Sequence, residues 1–183
     1  MPGMTRTFPE FFAQRPRPDE YNPYYHTYIA LVPEGNLVSA LSEQHGVTQQ
    51  ALRGLTDAQA LFRPAPGEWS IKQVLGHLID TERIFAYRLL RFARGDGAPL
   101  RGYDGDPYVD RARFDAQPLA DLLEEFAAVR AGNVLMLAGL DEPAWQRSGV
   151  ANENPVTARA LGWIMAGHEL HHLLSLREKY LPR

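Results

Sequence analysis

The chain of 183 residues contains no cysteine. Disulfide bonds, thiolate metal ligands and a cysteine nucleophile are therefore excluded, and only nitrogen and oxygen donors remain for a metal ion. The chain also lacks the run of about 18 apolar residues that a membrane-spanning helix needs. The first residues, MPGMTRTFPEFFAQRPRPDE, have no apolar stretch of the kind found in a signal peptide. We therefore expect a cytoplasmic protein without a membrane partner.

Charge of one sign is not concentrated anywhere in the chain. There are 19 basic and 22 acidic residues, which give a formal net charge of −3, and no block of Lys or Arg is present. A nucleic-acid-binding protein usually carries a basic patch or stripe, so the pattern argues against a nucleic-acid partner. Hydrophobic residues at 45% and charged residues at 22% are ordinary for one globular domain of this length.

Hydrophobic periodicity predicts long helices in the first half of the chain. Leucines near a helical period indicate a first helix from Glu34 to Leu55. Ser70 stands three residues before Gln73, which is the spacing of a capping box, and it opens the most clearly amphipathic helix. Gly95 supplies the signal for the end of that helix. A short helical turn and a loop rich in Pro and Gly are expected between the two.

Two more long helices are predicted in the second half. One follows Pro118 and runs to about residue 140, and the other begins after Thr157 as N-cap and ends before Pro182. Residues 95–117 are interpreted as a polar loop in which Tyr103 and Tyr108 are candidates for the rim of a site. No strand is evident. The sequence therefore predicts an all-α four-helix bundle with unusually long connecting loops.

The first 32 residues differ from the rest. They are rich in tyrosine, and prolines at positions 16, 18 and 23 prevent a long helix. We interpret residues 1–32 as an N-terminal arm with one short helical piece near Tyr25–Leu31. Since so many aromatic side chains seldom stay in water, the arm is expected to pack on the bundle of residues 33–183 or on a dimer partner.

The motif H-E-x-x-H occurs near the end of the chain, at His168, Glu169 and His172. The two histidines lie four residues apart and about 40° apart around a helix, so they can share one ion. His171, about 60° the other way, is the alternative second ligand. A zinc protease needs a downstream third ligand, but Glu178 is the carboxylate available and a continuing helix turns it away. The protease hypothesis is therefore disfavoured.

The third ligand is expected from another helix. His77 lies in the middle of the strongest amphipathic helix, where a lone histidine is usually a packed core residue. The presence of a histidine pair on a second long helix makes a site of three histidines, His77, His168 and His172, the better interpretation. Two remaining histidines lie in irregular or polar stretches and are weaker candidates: His26 and His45.

Four further residues are candidates for roles around this site. Glu169 is a candidate general base, although a salt bridge between helices is the simpler interpretation. Asp80 lies one turn after His77 and is a candidate acceptor for the second ring N–H of that histidine. Trp69 and Trp163 precede the histidines on the two helices, and core packing is a better interpretation for both than contact with a substrate.

Four stretches together resemble the DinB/YfiT-like superfamily of metal-binding four-helix bundles. They are YIALVPEGNLVSAL, FRPAPGEWS, WSIKQVLGHLIDTERIFAYRLLRFARGD and AGHELHHLL, and the resemblance extends over roughly residues 20–181. It implies an up-up-down-down bundle, commonly a homodimer, with one divalent ion on a histidine of the second helix and two of the last. Residue by residue these are His77, His168 and His172. The resemblance implies Ni, Zn, Fe or Mn as the metal.

Three functional hypotheses follow. The first is a divalent-metal-dependent enzyme on a small organic substrate, either a hydrolase or a thiol-dependent S-transferase. The resemblance implies bacillithiol, mycothiol or glutathione as the thiol of such a transferase. The second is a metal-binding or stress-related helical bundle without turnover. The third is a helical interaction module in which the histidines are packed without a metal.

Overall fold

The computed structural model describes residues 7–181, and within this range it contains seven α-helices and one two-stranded sheet. The first six residues of the predicted arm and the predicted helix stop at Pro182 lie outside the described residues. The elements are α1 (His26–Leu31), α2 (Leu37–Leu52), α3 (Ile71–Ala93), α4 (Gly105–Ala112), α5 (Leu119–Ala138), α6 (Glu142–Gln146), β1 (Ser148–Ala151), β2 (Asn154–Thr157) and α7 (Ala158–Lys179).

The predicted start signals of the two longest helices are confirmed. Ser70 accepts a hydrogen bond from the backbone N–H of Gln73 at 3.0 Å, and the Gln73 side chain accepts one from the Ser70 N–H at 3.0 Å. This is the reciprocal capping box, which satisfies two N–H groups that have no partner inside the helix. Thr157 accepts from the N–H of Ala160 at 2.9 Å and caps α7.

The four long helices α2, α3, α5 and α7 form the predicted four-helix bundle, with α2 and α3 on opposite corners. Hydrogen bonds show that α2 and α7 are parallel, because Gln44 binds the carbonyl of Ala166 and Thr48 binds the carboxylate of Glu169. Helices α3 and α5 are also parallel: Lys72 donates to the carbonyl of Gln117, just before α5, and Arg130 donates to Glu82.

The order of helix directions corrects the expected up-up-down-down bundle. Helix α3 runs antiparallel to α7, because His77 lies beside His172 while Phe85 lies beside His168. The chain order is therefore up-down-down-up. The physical reason is the long segment 94–118, which carries the chain back along the bundle so that neighbouring helices α3 and α5 run the same way.

Two expectations about the loops were wrong. Residues 95–117 contain helix α4, which Asp104 caps by accepting from the N–H of Asp106 at 3.3 Å. Residues 148–157 form an antiparallel hairpin, in which Ser148 pairs with Thr157 and Ala151 with Asn154. Elements this short carry too few residues for a periodic pattern, and the hairpin turn uses positive φ at Asn152 and Glu153 without a glycine.

The described part of the N-terminal arm packs on its own bundle. Phe12 is fully buried beside Trp145, and α1 lies along α7. The buried Arg159 of α7 donates through Nε to Glu20 at 3.0 Å, and Thr157 donates to the same carboxylate at 2.9 Å. This ion pair joins the arm to the beginning of the last helix.

A second buried ion pair joins all four long helices at the centre of the bundle. Arg130 of α5 is 1% exposed and donates to both carboxylate oxygens of Glu82 on α3, each at 2.7 Å. It also lies 2.8 Å from the carboxylate of Glu169 on α7, which in turn accepts from Gln44 and Thr48 of α2. These five residues are called the arginine cluster below.

None of the helices in residues 7–181 is both long enough and apolar enough to cross a membrane.

Candidate metal centre

Three histidine side chains converge between α3 and α7. The Nε2 atom of His168 lies 3.1 Å from Nε2 of His77 and 3.1 Å from Nε2 of His172. The ligand nitrogens of the three residues all lie within 4.8 Å of one another. The antiparallel packing of α3 on α7 places His77 opposite His168 and His172, which are one turn apart on α7. We call these three residues the histidine cluster.

Hydrogen bonding explains only part of this geometry. An imidazole nitrogen carries either one proton or one in-plane lone pair, so Nε2 of His168 makes one good hydrogen bond, yet it has two nitrogen neighbours at 3.1 Å. Two nitrogens bound to one ion at about 2.0–2.1 Å lie about 2.8–3.4 Å apart for bond angles of about 90–110°. The two distances of 3.1 Å therefore fit nitrogens that bind one ion, and the third histidine nitrogen lies within reach of the same place.

Burial keeps the histidine cluster neutral. His77 is 9% exposed and His168 is 6% exposed. Burial lowers the pKa of His77 to about 4, and burial together with the neighbouring His77 and His171 lowers the pKa of His172 to about 3. The pKa of His168 is also well below its ordinary value because of burial. Neutral imidazoles present free lone pairs at pH 7, which is the state that binds a metal ion.

Thr81, rather than the expected Asp80, contacts the second ring nitrogen of His77. The Thr81 hydroxyl lies 3.3 Å from Nδ1 of His77 and 3.1 Å from the hydroxyl of Tyr103. Asp80 is turned toward Arg83, at 3.7 Å. Position i+4 lies almost above position i on a helix, whereas i+3 is displaced to the other side, so helical spacing itself favours Thr81.

Glu169 does not lie where a general base of this site has to be. Its carboxylate accepts from Gln44 at 2.6 Å and Thr48 at 2.7 Å and pairs with Arg130, within the arginine cluster. It is 1% exposed and does not line the cavity at the histidines. A rotation of about 100° per residue along α7 directs His168 and Glu169 to different neighbours. The simpler interpretation, a salt bridge between helices, describes its contacts.

His171 lies beside the cluster but is not part of it. Its ring centroid is 5.0 Å from that of Tyr28, and its side chain is exposed at the edge of the cavity. The α1 backbone reaches this place because residue 167 is glycine: a Cβ there would lie 2.1 Å from the carbonyl oxygen of Tyr28. Tyr28 also contacts the ring of His168, at a centroid distance of 5.6 Å.

A cavity of about 490 Å³ opens at the histidine cluster. Aromatic side chains form much of its wall, and amide side chains of the hairpin and arm form another part. Among the described residues that line it, none is Asp or Glu, and Arg88 is the one Lys or Arg. The aromatic residues of the wall are Tyr24, Tyr25, Tyr28, Trp69, Phe85 and Tyr103.

The two candidate tryptophans differ in their position relative to this cavity. Trp163 is fully buried, in agreement with core packing, whereas Trp69 is half-buried, lines the cavity and contacts the His77 ring in a tilted arrangement, at a centroid distance of 4.8 Å. Tyr103 lines the cavity, and Tyr108 supports it from outside through a ring contact at 4.8 Å. Segment 94–118 can approach His77 closely because residue 105 is glycine. A Cβ at this position would lie 2.9 Å from the His77 ring.

Comparison with known proteins identifies the family. The sequence model of the DinB superfamily matches residues 40–176, a stretch that contains all three histidines. Among solved structures the chain is similar to YfiT from Bacillus subtilis, described as a probable metal-dependent hydrolase with an unusual four-helix bundle topology. The two share 17% identity with a TM-score of 0.71, over 92% of this chain and 95% of that one. No curated protein sequence matches.

The solved structure supports the fold alone at this identity, while the superfamily match extends over more than half of the chain. The matched stretch begins within α2 and ends within α7, so it includes most of the bundle. The chain belongs to the DinB superfamily.

Proposed function

We propose that this protein is a divalent-metal-dependent enzyme that acts on a small organic substrate. The observation that carries the proposal is the convergence of three neutral histidine nitrogens at the inner end of an open cavity. His77, His168 and His172 would hold the ion; imidazole ligands suit Ni, Zn and Fe, and Mn is the further metal that the superfamily resemblance implies. A bound divalent ion on three neutral ligands lowers the pKa of a bound water or thiol.

A thiol-dependent S-transferase is the form of this activity that the cavity favours. Activation of water is often assisted by a carboxylate base, and the cavity wall has no carboxylate among the described residues. A thiol loses its proton far more easily, since its ordinary pKa is about 8.5 compared with about 15.7 for water. A low-molecular-weight thiol such as bacillithiol, mycothiol or glutathione would then attack an electrophilic carbon of the second substrate.

Tyr103 is the proposed proton donor within this wall. Its hydroxyl is held by Thr81 at 3.1 Å, and Thr81 in turn contacts His77. Burial raises the pKa of Tyr103, so the phenol keeps its proton at neutral pH and remains available to a leaving group. Trp69 covers the cluster from the side and reduces the access of bulk water.

A metal-dependent hydrolase is the second candidate. The description of YfiT as a probable metal-dependent hydrolase supports it, because the two chains share the bundle over nearly their full lengths. A metal-binding or stress-related protein without turnover is the remaining alternative. Assays distinguish the three candidate functions by whether turnover occurs and whether it needs a thiol.

The first experiment measures bound metal by elemental mass spectrometry in untagged protein and in His77→Ala and His172→Ala variants. His26→Ala is the matched control, because His26 is exposed and lies outside the cluster. We expect about one equivalent of metal in the parent and the control, and loss in both other variants. Retention of metal in His77→Ala would contradict the proposed ligand set, and His171→Ala tests the alternative ligand.

Activity is then measured on metal-loaded protein with monochlorobimane and each of the three thiols, and separately with p-nitrophenyl acetate without thiol. Metal-dependent bimane conjugation supports the transferase, and thiol-independent ester cleavage supports the hydrolase. A protein that binds metal and shows neither activity across a wider panel of electrophiles and esters favours the alternative without turnover.

We also propose, from the superfamily resemblance, that the protein is a homodimer. Several apolar side chains lie on the surface of the described chain, such as Leu135 at 61% and Val47 at 43% exposed, and a dimer interface would cover some of them. Light scattering at several protein concentrations gives the oligomeric state directly.

A further inference from the structure

Arg88 of α3 is a buried cation without a carboxylate partner in the described part of the chain. Its side chain belongs to a residue that is only 6% exposed, and it lines the cavity of the histidine cluster. No carboxylate of the residues that the structure describes lies within 4.0 Å of its guanidinium. Its hydrogen bond within the chain is donated by Nη2 to the carbonyl of Arg101 at 3.0 Å.

The other buried cations of the described chain are all paired. Lys72 lies 2.7 Å from Asp57, Arg130 pairs with Glu82 and Glu169, and Arg159 pairs with Glu20. An unpaired charge inside a protein is costly, so buried guanidinium groups normally meet a carboxylate or another anion. Arg88 is the exception to this pattern, and it is the buried cation that lines the cavity.

The position of Arg88 along α3 relates it directly to the histidine cluster. Residues 77, 81, 85 and 88 are spaced by four, four and three, so they form one face of the helix, and all four line the cavity. At about 1.5 Å per residue, the Cα atoms of His77 and Arg88 are about 16 Å apart along the helix axis. The wall between them contains Phe85 and the aromatic ring of Tyr103.

We propose that Arg88 binds the carboxylate of an organic substrate whose reactive end lies at the histidine cluster. The inference deepens the proposed function and rests on it for the identity of the reactive end. A guanidinium presents a planar fork of N–H donors that matches a carboxylate, and burial strengthens such charge-assisted hydrogen bonds. The aromatic wall suits an apolar body between the two ends of the substrate.

A carboxylate fits this cavity better than a phosphate group. One buried guanidinium balances one negative charge, whereas a phosphate monoester carries close to two charges at neutral pH. The cavity supplies no second Lys or Arg among its described lining residues. The predicted ligand is therefore an elongated organic monocarboxylate.

The test uses 4-phenylbutyrate as the probe and its neutral amide, 4-phenylbutanamide, as the matched control ligand. Binding of both is measured by calorimetry to metal-loaded protein and to metal-free protein. We expect the carboxylate to bind about tenfold to a hundredfold more tightly than the amide in both forms of the protein. A hydrogen bond to a charged group typically changes an affinity by about this factor. Equal binding of the two ligands to metal-free protein would overturn the proposal without any variant.

Variants then locate the preference. Arg88→Met should abolish the preference for the carboxylate while the protein keeps its bound metal, and Arg88→Lys should retain part of it. Arg91→Met, on the same helix but paired with Asp96 away from the cavity, should behave as the parent. A carboxylate preference that survives in folded Arg88→Met would overturn the role of Arg88.

Two further outcomes separate this inference from the proposed function. If the parent binds no metal, the proposed function fails, but an Arg88-dependent preference in metal-free protein still supports the anion site. If the preference exists only with metal bound and is unchanged in Arg88→Met, the carboxylate binds the ion and the inference fails while the metal centre stands. Tighter, Arg88-dependent binding of 4-phenylbutyl phosphate would overturn the assignment of the ligand as a carboxylate.

Discussion

The histidine cluster and the arginine cluster lie next to each other inside the bundle and are built in opposite ways. On α7 they are one residue apart, since His168 belongs to one and Glu169 to the other. The arginine cluster is closed: its charges are paired and its carboxylates accept hydrogen bonds from two other helices, α2 and α5. The histidine cluster has no charged partner within it, faces a cavity and brings three lone pairs together.

This contrast distinguishes the structural role of the arginine cluster from the metal-binding role that we propose for the histidine cluster. Polar groups that satisfy each other stabilise one arrangement of the four helices and have no capacity left for a ligand. Polar groups that converge without forming enough hydrogen bonds to each other leave donor or acceptor atoms free to bind a ligand. The arginine cluster fixes the rotation of α7 and α3, so it also determines where His168 and His77 point.

The largest expected effect comes from opening the arginine cluster. Arg130→Met leaves two buried carboxylates without their cation, and we expect the free energy of unfolding to fall by about 3–5 kcal/mol in urea titrations. Arg83→Met is the control, because its pair with Glu125 is partly exposed and should contribute less than about 1 kcal/mol. A fall of similar size in both variants would contradict the structural role assigned to the cluster.

The second effect is a pH dependence that the histidine cluster gives to the metal-free protein. The pKa of His77 is about 4 in the folded chain and about 6.5 in the unfolded chain. Because the unfolded state binds the proton first, stability is full above pH 6.5 and falls as the pH decreases toward 4, by about 3 kcal/mol from this residue. Urea titrations of the parent and of His77→Ala measure the difference.

His77→Ala should show a correspondingly shallower loss of stability over the same pH window. Identical profiles for the two proteins would mean that His77 is not held neutral by burial.

The third prediction compares His168 with Glu169, its neighbour on α7. A saturating metal ion at about one hundred times its Kd should stabilise the parent by about 2.7 kcal/mol. His168→Ala should lose this gain, whereas Glu169→Gln should keep it, although its stability without metal is lower. Thermal unfolding with and without metal gives both numbers. Loss of the gain in Glu169→Gln alone would reverse the roles assigned to the two residues.

The smallest effect concerns the support of His77. Thr81→Val removes the hydroxyl near Nδ1 while keeping the volume of the side chain, and we expect metal affinity to fall by about tenfold. Competition with a chelating dye measures the change. Asp80→Asn is the matched control, and a loss of affinity there instead of in Thr81→Val would restore the original expectation for Asp80.

Much of the fold was predictable because its signals are local. The capping box at Ser70, the cap at Thr157 and the 3.6-residue periodicity depend on residues a few positions apart. The short elements were not predictable, because the strands at 148–157 contain four residues each and Ala151 also pairs with Leu100, which is distant in the sequence. The directions of the helices depend equally on contacts distant in sequence.

The site divides in the same way. The sequence alone determined that two histidines four residues apart share a helix face and that His77 sits on the strongest amphipathic helix, because helix geometry is fixed by the backbone. Only the tertiary structure decided that Glu169 contacts Arg130 and that Arg88, beside the cavity, has no carboxylate partner among the described residues. Which charge finds a partner depends on the packing of helices far apart in the chain, and residue spacing along one helix carries no information about it.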